Sequence, residues 1–263
     1  MTVDANAASI ALAMNGAVAY VEIKWARRHN AIDAETANAL VVRCRELDNN
    51  DFVRAVVLFG QGASFGVGGD LNELKWDPPR TARQIIGPLH EAISILVGLD
   101  APVIGKVRGS VAGGSMSLSL ACDLVVASAN TKFKFAYTNL ATTADLGGAL
   151  HLPHIVGLRN AMQIALLNET IDAARACELR IVNQVVADEQ LDEHVDRLAQ
   201  RLASGPTKAF GRMKRQLRQA VGTGLHGHLT AEAVSFVESA GTQDFHETVD
   251  GILGKRAPRF IGA

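Results

Sequence analysis

Apolar residues along this chain recur with two different periods, and the switches between them outline its elements. Between Ser9 and Lys24 they form two short runs around Asn15-Gly16, a pair suited to the positive φ angles of a two-residue turn, so a β-hairpin is expected. Asp33 is an N-cap residue type, and Ala37, Leu40, Val41 and Cys44 follow at helical spacing, predicting a helix through Leu47. Ala55–Phe59 (AVVLF) reads as a buried strand. The adjacent prolines of Trp76–Arg80 (WDPPR) argue against regular structure, and Ile85, Leu89, Ala92, Ile93 and Leu96 then predict a helix over Gln84–Leu99. Pro102–Val107 and Asp123–Ala127 read as strands, while Phe133, Phe135 and Tyr137 alternate with strand period along Thr131–Tyr137. From Leu150 the pattern is mostly helical, with one obvious strand at Ile181–Val186 and breaks at Gly205-Pro206, Gly222 and Gly224.

Two of the strands run into glycine-rich loops. Ala55–Phe59 leads into Gly60, Gly62, Gly66, Gly68 and Gly69, then Asp70-Leu71. Pro102–Val107 leads past Gly109 to Gly113-Gly114 and then to Ser115–Cys122, a breaker-free stretch that suits a helix. Repeated strand–glycine loop–helix units imply an α/β core with ligand loops at the strand C-termini. The helical last third reads as a packing or oligomerisation layer, which divides the chain into 1–200 and 201–263. The Gly113-Gly114 pair has two readings. It either lets helix and sheet pack closely, or it bares helix-start N–H groups that stabilise negative charge on a carbonyl oxygen.

Composition narrows the partners. The 263 residues are 48% hydrophobic with a formal net charge of -1, so no global field favours nucleic acid or a membrane surface. Cys44, Cys122 and Cys177 are scattered among apolar neighbours, which fits neither a disulfide framework nor a zinc site; free thiols in a reducing cytoplasm are expected. Met1–Ala13 lacks the basic and apolar regions of a secretory signal, and Val111–Ala127 is too interrupted for a membrane span.

Nucleotide motifs fail in both glycine loops: Leu71 takes the last glycine position of G-x-G-x-x-G, and no G-x-x-x-x-G-K-[ST] is present. Gly113-Gly114-Ser115-Met116-Ser117 approaches a serine-hydrolase elbow but ends in serine. With Ser64–Leu74 (SFGVGGDLNEL), Arg108–Asp123 (RGSVAGGSMSLSLACD) and Thr131–Gly157 in this order and spacing, the chain resembles the crotonase superfamily of enoyl-CoA hydratases and isomerases along nearly its whole length.

That resemblance implies a spiral of ββα units (α/β, or α+β) with a C-terminal helical trimerisation region, giving homotrimers or hexamers built as dimers of trimers. It implies an acyl-CoA substrate, with coenzyme A carried as part of it and no further cofactor or metal. The thioester carbonyl would sit between the N–H groups of Gly69 and Gly114. The two hydratase glutamates fall at Ser117 and Tyr137, so hydration by two carboxylates is not expected; Ser117 would line the acyl pocket. Asp145 falls where some family isomerases place their acid/base and where the 4-chlorobenzoyl-CoA dehalogenases place their nucleophile. His90 falls at the dehalogenase base and Tyr137 at its aromatic neighbour. Double-bond isomerisation through Asp145, hydrolysis through Asp145 and His90, and non-catalytic acyl-CoA binding are the three readings. For the coenzyme, the resemblance points to Arg28 and its loop, to Val67, Gly68 and Leu71, and to Lys255 of the same or a neighbouring subunit. The residue-level alternatives are a turn role for Asp145, core filling for Tyr137 and a structural His90.

Overall fold

The Asn15-Gly16 turn makes the expected hairpin: β1 (Ile10–Asn15) pairs antiparallel with β2 (Val18–Ile23), and Gly16 has φ 58°. The computed structural model describes residues 9–24, 29–220 and 222–263. Asp33 caps α1 (Ala34–Asp48) by accepting the Thr36 N–H at 2.7 Å. Then come β3 (Ala55–Gly60), α2 (Leu71–Leu74), α3 (Pro78–Gly98), β4 (Val103–Val107), β5 (Ser110–Ala112) and α4 (Gly114–Ala121). β6 (Leu124–Ser128), β7 (Lys132–Lys134), α5 (Gly148–Val156), α6 (Leu158–Leu167), β8 (Ile171–Asp172), α7 (Ala173–Glu178) and β9 (Gln184–Val186) follow. Four helices end the chain: α8 (Leu191–Ala203), α9 (Thr207–Gln219), α10 (Leu225–Ala240) and α11 (Gln243–Leu253).

The larger sheet has strand order β1-β2-β3-β4-β6-β9, parallel from β2 onward; β5, β7 and β8 form a smaller one. Bridges Gly66–Val111 and Ile32–Gly69 extend the smaller sheet towards the glycine loops, so successive turns of the chain lay strands alternately in two layers. Because strand side chains alternate, Val18, Ala55, Val57, Ile104 and Val126 face α8, while Val21, Val56, Leu58 and Val103 face the core beneath α1 and α3. No described helix is long and apolar enough to cross a membrane.

Three expectations need correction. Pro78 and Pro79 do not break structure. They occupy the first turn of α3 behind the N-cap Asp77, where an N–H has no intrahelical acceptor and proline's φ suits the helix. The strand expected through Tyr137 stops at Lys134, and Tyr137 starts a one-turn 3-10 helix ending at Leu140. The turn begins at Ala136, held at φ 64° because Asn168 Oδ1 accepts its N–H at 2.8 Å. The division between residues 200 and 201 would cut α8, so the C-terminal helical layer starts at α9. Lys214 and Arg218 clamp α9 to Asp123 at 2.6 and 2.9 Å, and Arg215 bonds Asp100 at 2.7 Å.

Candidate active site

The loop after β3 is fastened on all sides before it offers anything to a ligand. Buried Asn30 donates through Nδ2 to the carbonyls of Gln61 (3.0 Å) and Ser64 (2.7 Å). Gly66 N–H donates to Ser110 O and Gly66 O accepts Ala112 N–H, stitching the loop to β5. Gly68, at φ 89°, donates its N–H to the buried Ser115 Oγ at 3.1 Å. A Cβ on Gly68 would sit 3.1 Å from both Ala112 O and Gly114 N, so glycine here serves both the dihedral and the close approach of the two loops.

Two peptide planes then have fixed directions. Gly68 O accepts Ile32 N–H at 2.7 Å; in a trans peptide the N–H opposes the C=O, so Gly69 N–H points away from Ile32. Gly113 O accepts Ser117 N–H at 3.1 Å inside α4, which turns Gly114 N–H out of the helix start. Among the described residues neither the Gly69 nor the Gly114 N–H has an acceptor. Both are donors in a wall where the partial positive end of α4 emerges.

Asp145 reaches this wall from the opposite side: a Cβ on Gly114 would lie 3.6 Å from its Oδ1. Its loop is set by Leu146 (φ 50°, fully buried) and Gly147 (φ 73°), and Gly148 N–H closes the turn on Asp145 O at 2.8 Å. A buried leucine held at positive φ is a strained conformation, which the anchored side chain makes obligatory. The carboxylate bonds its own backbone N–H and also reaches beyond its turn. Oδ1 accepts a short hydrogen bond from the Tyr137 phenol, whose oxygen is 2.8 Å from Ser117 Oγ. Burial pushes the Asp145 carboxyl above its ordinary value, opposed by the Tyr137 bond and by nearby His90. The Tyr137 phenol is pushed up too, first by burial and then by the adjacent carboxylate. Phe135 packs edge-to-face on Tyr137, centroids 4.9 Å apart.

His90, exposed on α3, accepts the Leu146 N–H through Nε2 at 3.3 Å, which in the neutral ring leaves the proton on Nδ1. Ser117, Tyr137, Asp145 and Gly114 are thus brought together, with His90 on the adjacent Leu146 N–H, and Gly69 follows Gly68, which packs against Gly114. Val67 and Leu71 lie exposed along the same loop as Gly68. Lys255 does not join them: it sits exposed after α11, with no bond to a site residue among those described. Arg28 lies outside the described residues. The Ser115 hydroxyl is enclosed and accepts the Gly68 N–H, so it supports the loop instead of offering a nucleophile. Among the described residues, no three metal-ligating side chains come together. Sequence reasoning passed over Asn168, Leu146 and the supporting role of Asn30; the polar residue before Ala31 in a basic loop was the one available signal, and Asn168 and Leu146 carried none.

Residues 13–263 match the family model described as enoyl-CoA hydratase/isomerase. The 1,2-epoxyphenylacetyl-CoA isomerase of Escherichia coli (strain K12) is 32% identical over 240 residues, covering 89% of this chain and 91% of that protein. The 4-chlorobenzoyl coenzyme A dehalogenase-2 of an Arthrobacter species is 30% identical over 234 residues, covering 88% and 85%. A crystal structure of an enoyl-CoA hydratase from Bacillus anthracis superposes with TM-score 0.92 at 25% identity, covering 97% of this chain and 100% of the other. With family model, relatives and architecture in agreement, the chain belongs to the enoyl-CoA hydratase/isomerase family of the crotonase superfamily.

Proposed function

We propose that this protein shifts a double bond in an acyl-CoA thioester, with Asp145 as the single proton carrier. The thioester carbonyl accepts the N–H groups of Gly69 and Gly114. The Asp145 carboxylate takes a proton from the carbon next to the double bond, and the C–H electron pair moves through the conjugated system onto the carbonyl oxygen. The carboxylic acid then returns the proton to the far carbon, and the oxygen's charge flows back to make the shifted double bond. No group beyond the substrate's own coenzyme A takes part.

The observation that carries this reading is the Asp145 carboxyl beside Gly114, hydrogen-bonded to Tyr137 and through it to Ser117, the two positions to which the family resemblance assigns a hydratase's glutamates. A pKa raised by burial suits the role, because it brings the carboxyl closer to the pH at which it must both take and give a proton. Val67, Gly68 and Leu71 line the mouth on the coenzyme side, with Arg28 and a neighbouring subunit's tail around Lys255 meeting its phosphates.

His90 beside the Asp145 loop favours a second reading, in which Asp145 attacks the chlorine-bearing ring carbon of an aromatic acyl-CoA and expels chloride, and water then cleaves the aryl ester, restoring the carboxylate and releasing the hydroxyaryl thioester. Against it, the Nε2 lone pair of His90 is taken by the Leu146 N–H. Incubation with β,γ-unsaturated and 4-chlorobenzoyl CoA thioesters separates the readings. Isomerised product lost in Asp145→Asn supports proton transfer; chloride release with a trapped Asp145 ester supports hydrolysis; saturable binding without product refutes both.

The assembly that goes with this function is a homotrimer, or a hexamer of two trimers. Its support is α10, which in the single chain buries none of its residues and exposes Leu225, Leu229, Val234, Phe236 and Val237.

A further inference from the structure

A phenol has one proton, and Tyr137 has two oxygen neighbours. While Asp145 is ionised its Oδ1 can only accept, so Tyr137 donates to it, and the phenol oxygen is left to accept from Ser117. Ser117 is fully enclosed on α4, and Tyr137 is the one side-chain partner of its hydroxyl among the described residues. From behind, α5 confines that hydroxyl: any side chain on Gly148 would overlap Ser117 Oγ. Beyond the Tyr137 bond, among the described residues the Asp145 carboxylate is bonded only by its own backbone N–H, so a carboxylate lone pair remains for proton transfer. Ser117 also stands three residues after Gly114, on the same side of the same helical turn.

We propose that Ser117 is a positioning residue and not a wall of the acyl pocket: through the Tyr137 phenol it holds Asp145 by Oδ1, leaving a carboxylate lone pair to transfer the proton in register with the Gly114 amide. This rests on the proton-transfer reading above. The first turn of α4 then sets both halves of the reaction, the amide that receives charge and, two hydrogen bonds away, the carboxylate that moves the proton. A weak spot in either bond would loosen the base without touching the substrate.

The titratable groups facing Asp145 are few. Tyr137 comes from the 3-10 turn and His90 from α3. From α5, His151 packs near Gly147 and is held neutral, lowered to about 4 by burial and by Arg218 and His154. The Tyr137 bond lowers the Asp145 pKa against the effect of burial. Ser117 strengthens that bond, since a phenol that accepts a hydrogen bond donates a better one. Losing the serine hydroxyl therefore makes Asp145 harder to ionise.

The test titrates the Asp145 carboxyl in the unliganded protein, as an infrared difference against Asp145→Asn, which removes the His151 imidazole and all other carboxyls from the signal. The expected shift is upward in Ser117→Ala, larger in Tyr137→Phe, and no larger in the double variant than in Tyr137→Phe alone, because Ser117 acts only through the phenol. With trans-3-hexenoyl-CoA, Ser117→Ala should lower kcat roughly tenfold at unchanged KM, as loss of a supporting hydrogen bond does elsewhere. An unmoved titration, additive shifts, or a raised KM with intact kcat would overturn the assignment. Should Ser117→Ala not fold, Ser117→Cys, whose thiol is a weak donor, takes its place with the same direction expected. Full turnover in Asp145→Asn would instead sink the proton-transfer reading and leave the titration interpretable.

Discussion

Gly114→Pro isolates the Gly114 amide as no other change does. Gly114 is the first residue of α4, and its N–H makes no intrahelical bond and has no acceptor among the described residues. Proline is well suited to that helical position, since the N–H it lacks is one the helix does not use. Gly114 is not among the residues at positive φ, and the Ser117 N–H to Gly113 O bond that starts the helix is untouched. The fold should therefore survive, with a thermal midpoint close to wild type. Catalysis should not. Removing one of two donors to a developing oxyanion costs roughly 3–4 kcal/mol, or 10²–10³ in kcat. Gly114→Ala is the control, because it keeps the N–H and its Cβ meets Asp145 Oδ1 at 3.6 Å and Leu146 Cδ1 at 3.9 Å, ordinary contacts. Steady-state kinetics on an isomerised CoA thioester, with circular dichroism as the folding check, decides the matter. A folded proline variant whose kcat stays within about threefold of wild type would show that this amide receives no charge.

Other outcomes follow from the same geometry. Asp145→Asn should abolish turnover while leaving CoA-ester binding, and it should also stabilise the protein. The folded-state pKa is raised, so the ionised carboxylate opposes folding above that raised value, and the effect vanishes below the ordinary 3.8. Chemical denaturation should thus favour the variant at pH 8 and show no difference at pH 3; a less stable variant at pH 8 contradicts the assigned burial. His90→Gln should leave isomerisation within a few-fold of wild type, since glutamine can accept the Leu146 N–H, whereas a hydrolytic reaction should drop by orders of magnitude. Asn30→Ala strands two carbonyls in the glycine loop and should cost about 2–3 kcal/mol in urea denaturation, with kcat falling alongside; an unchanged kcat would mean the loop holds its shape without it. Light scattering should report a trimer or hexamer for the wild type and smaller species for Phe236→Glu; a monomeric wild type at micromolar concentration excludes the proposed assembly.

Much of the architecture could be read from local rules alone. The Asn15-Gly16 hairpin, the Asp33 cap, the helix carrying His90 and the strands on either side of the glycine loops rest on dihedral preferences and hydrophobic period, which belong to short stretches of chain. The same local reading failed where a position along an element mattered more than the residue type. Pro78-Pro79 breaks a helix in its middle and begins one at its end, and nothing within WDPPR says which applies. The aromatic alternation ending at Tyr137 looked like strand because the hydrogen bond that bends the chain at Ala136 comes from Asn168, on the far side of α5 and α6.

What the sequence determined by itself was an inventory: two glycine loops after strands, one acid in the third segment, and a serine and a tyrosine on the elements beside them. Tertiary structure alone decided what these do to one another. The direction of the Gly69 and Gly114 amides depends on where the neighbouring carbonyls find partners, Ile32 for one and Ser117 for the other. The protonation behaviour of Asp145 depends on burial and on a phenol and an imidazole brought from separate elements. Hydrogen-bond direction and desolvation are properties of groups meeting in space, and groups far apart in a chain meet only when it folds.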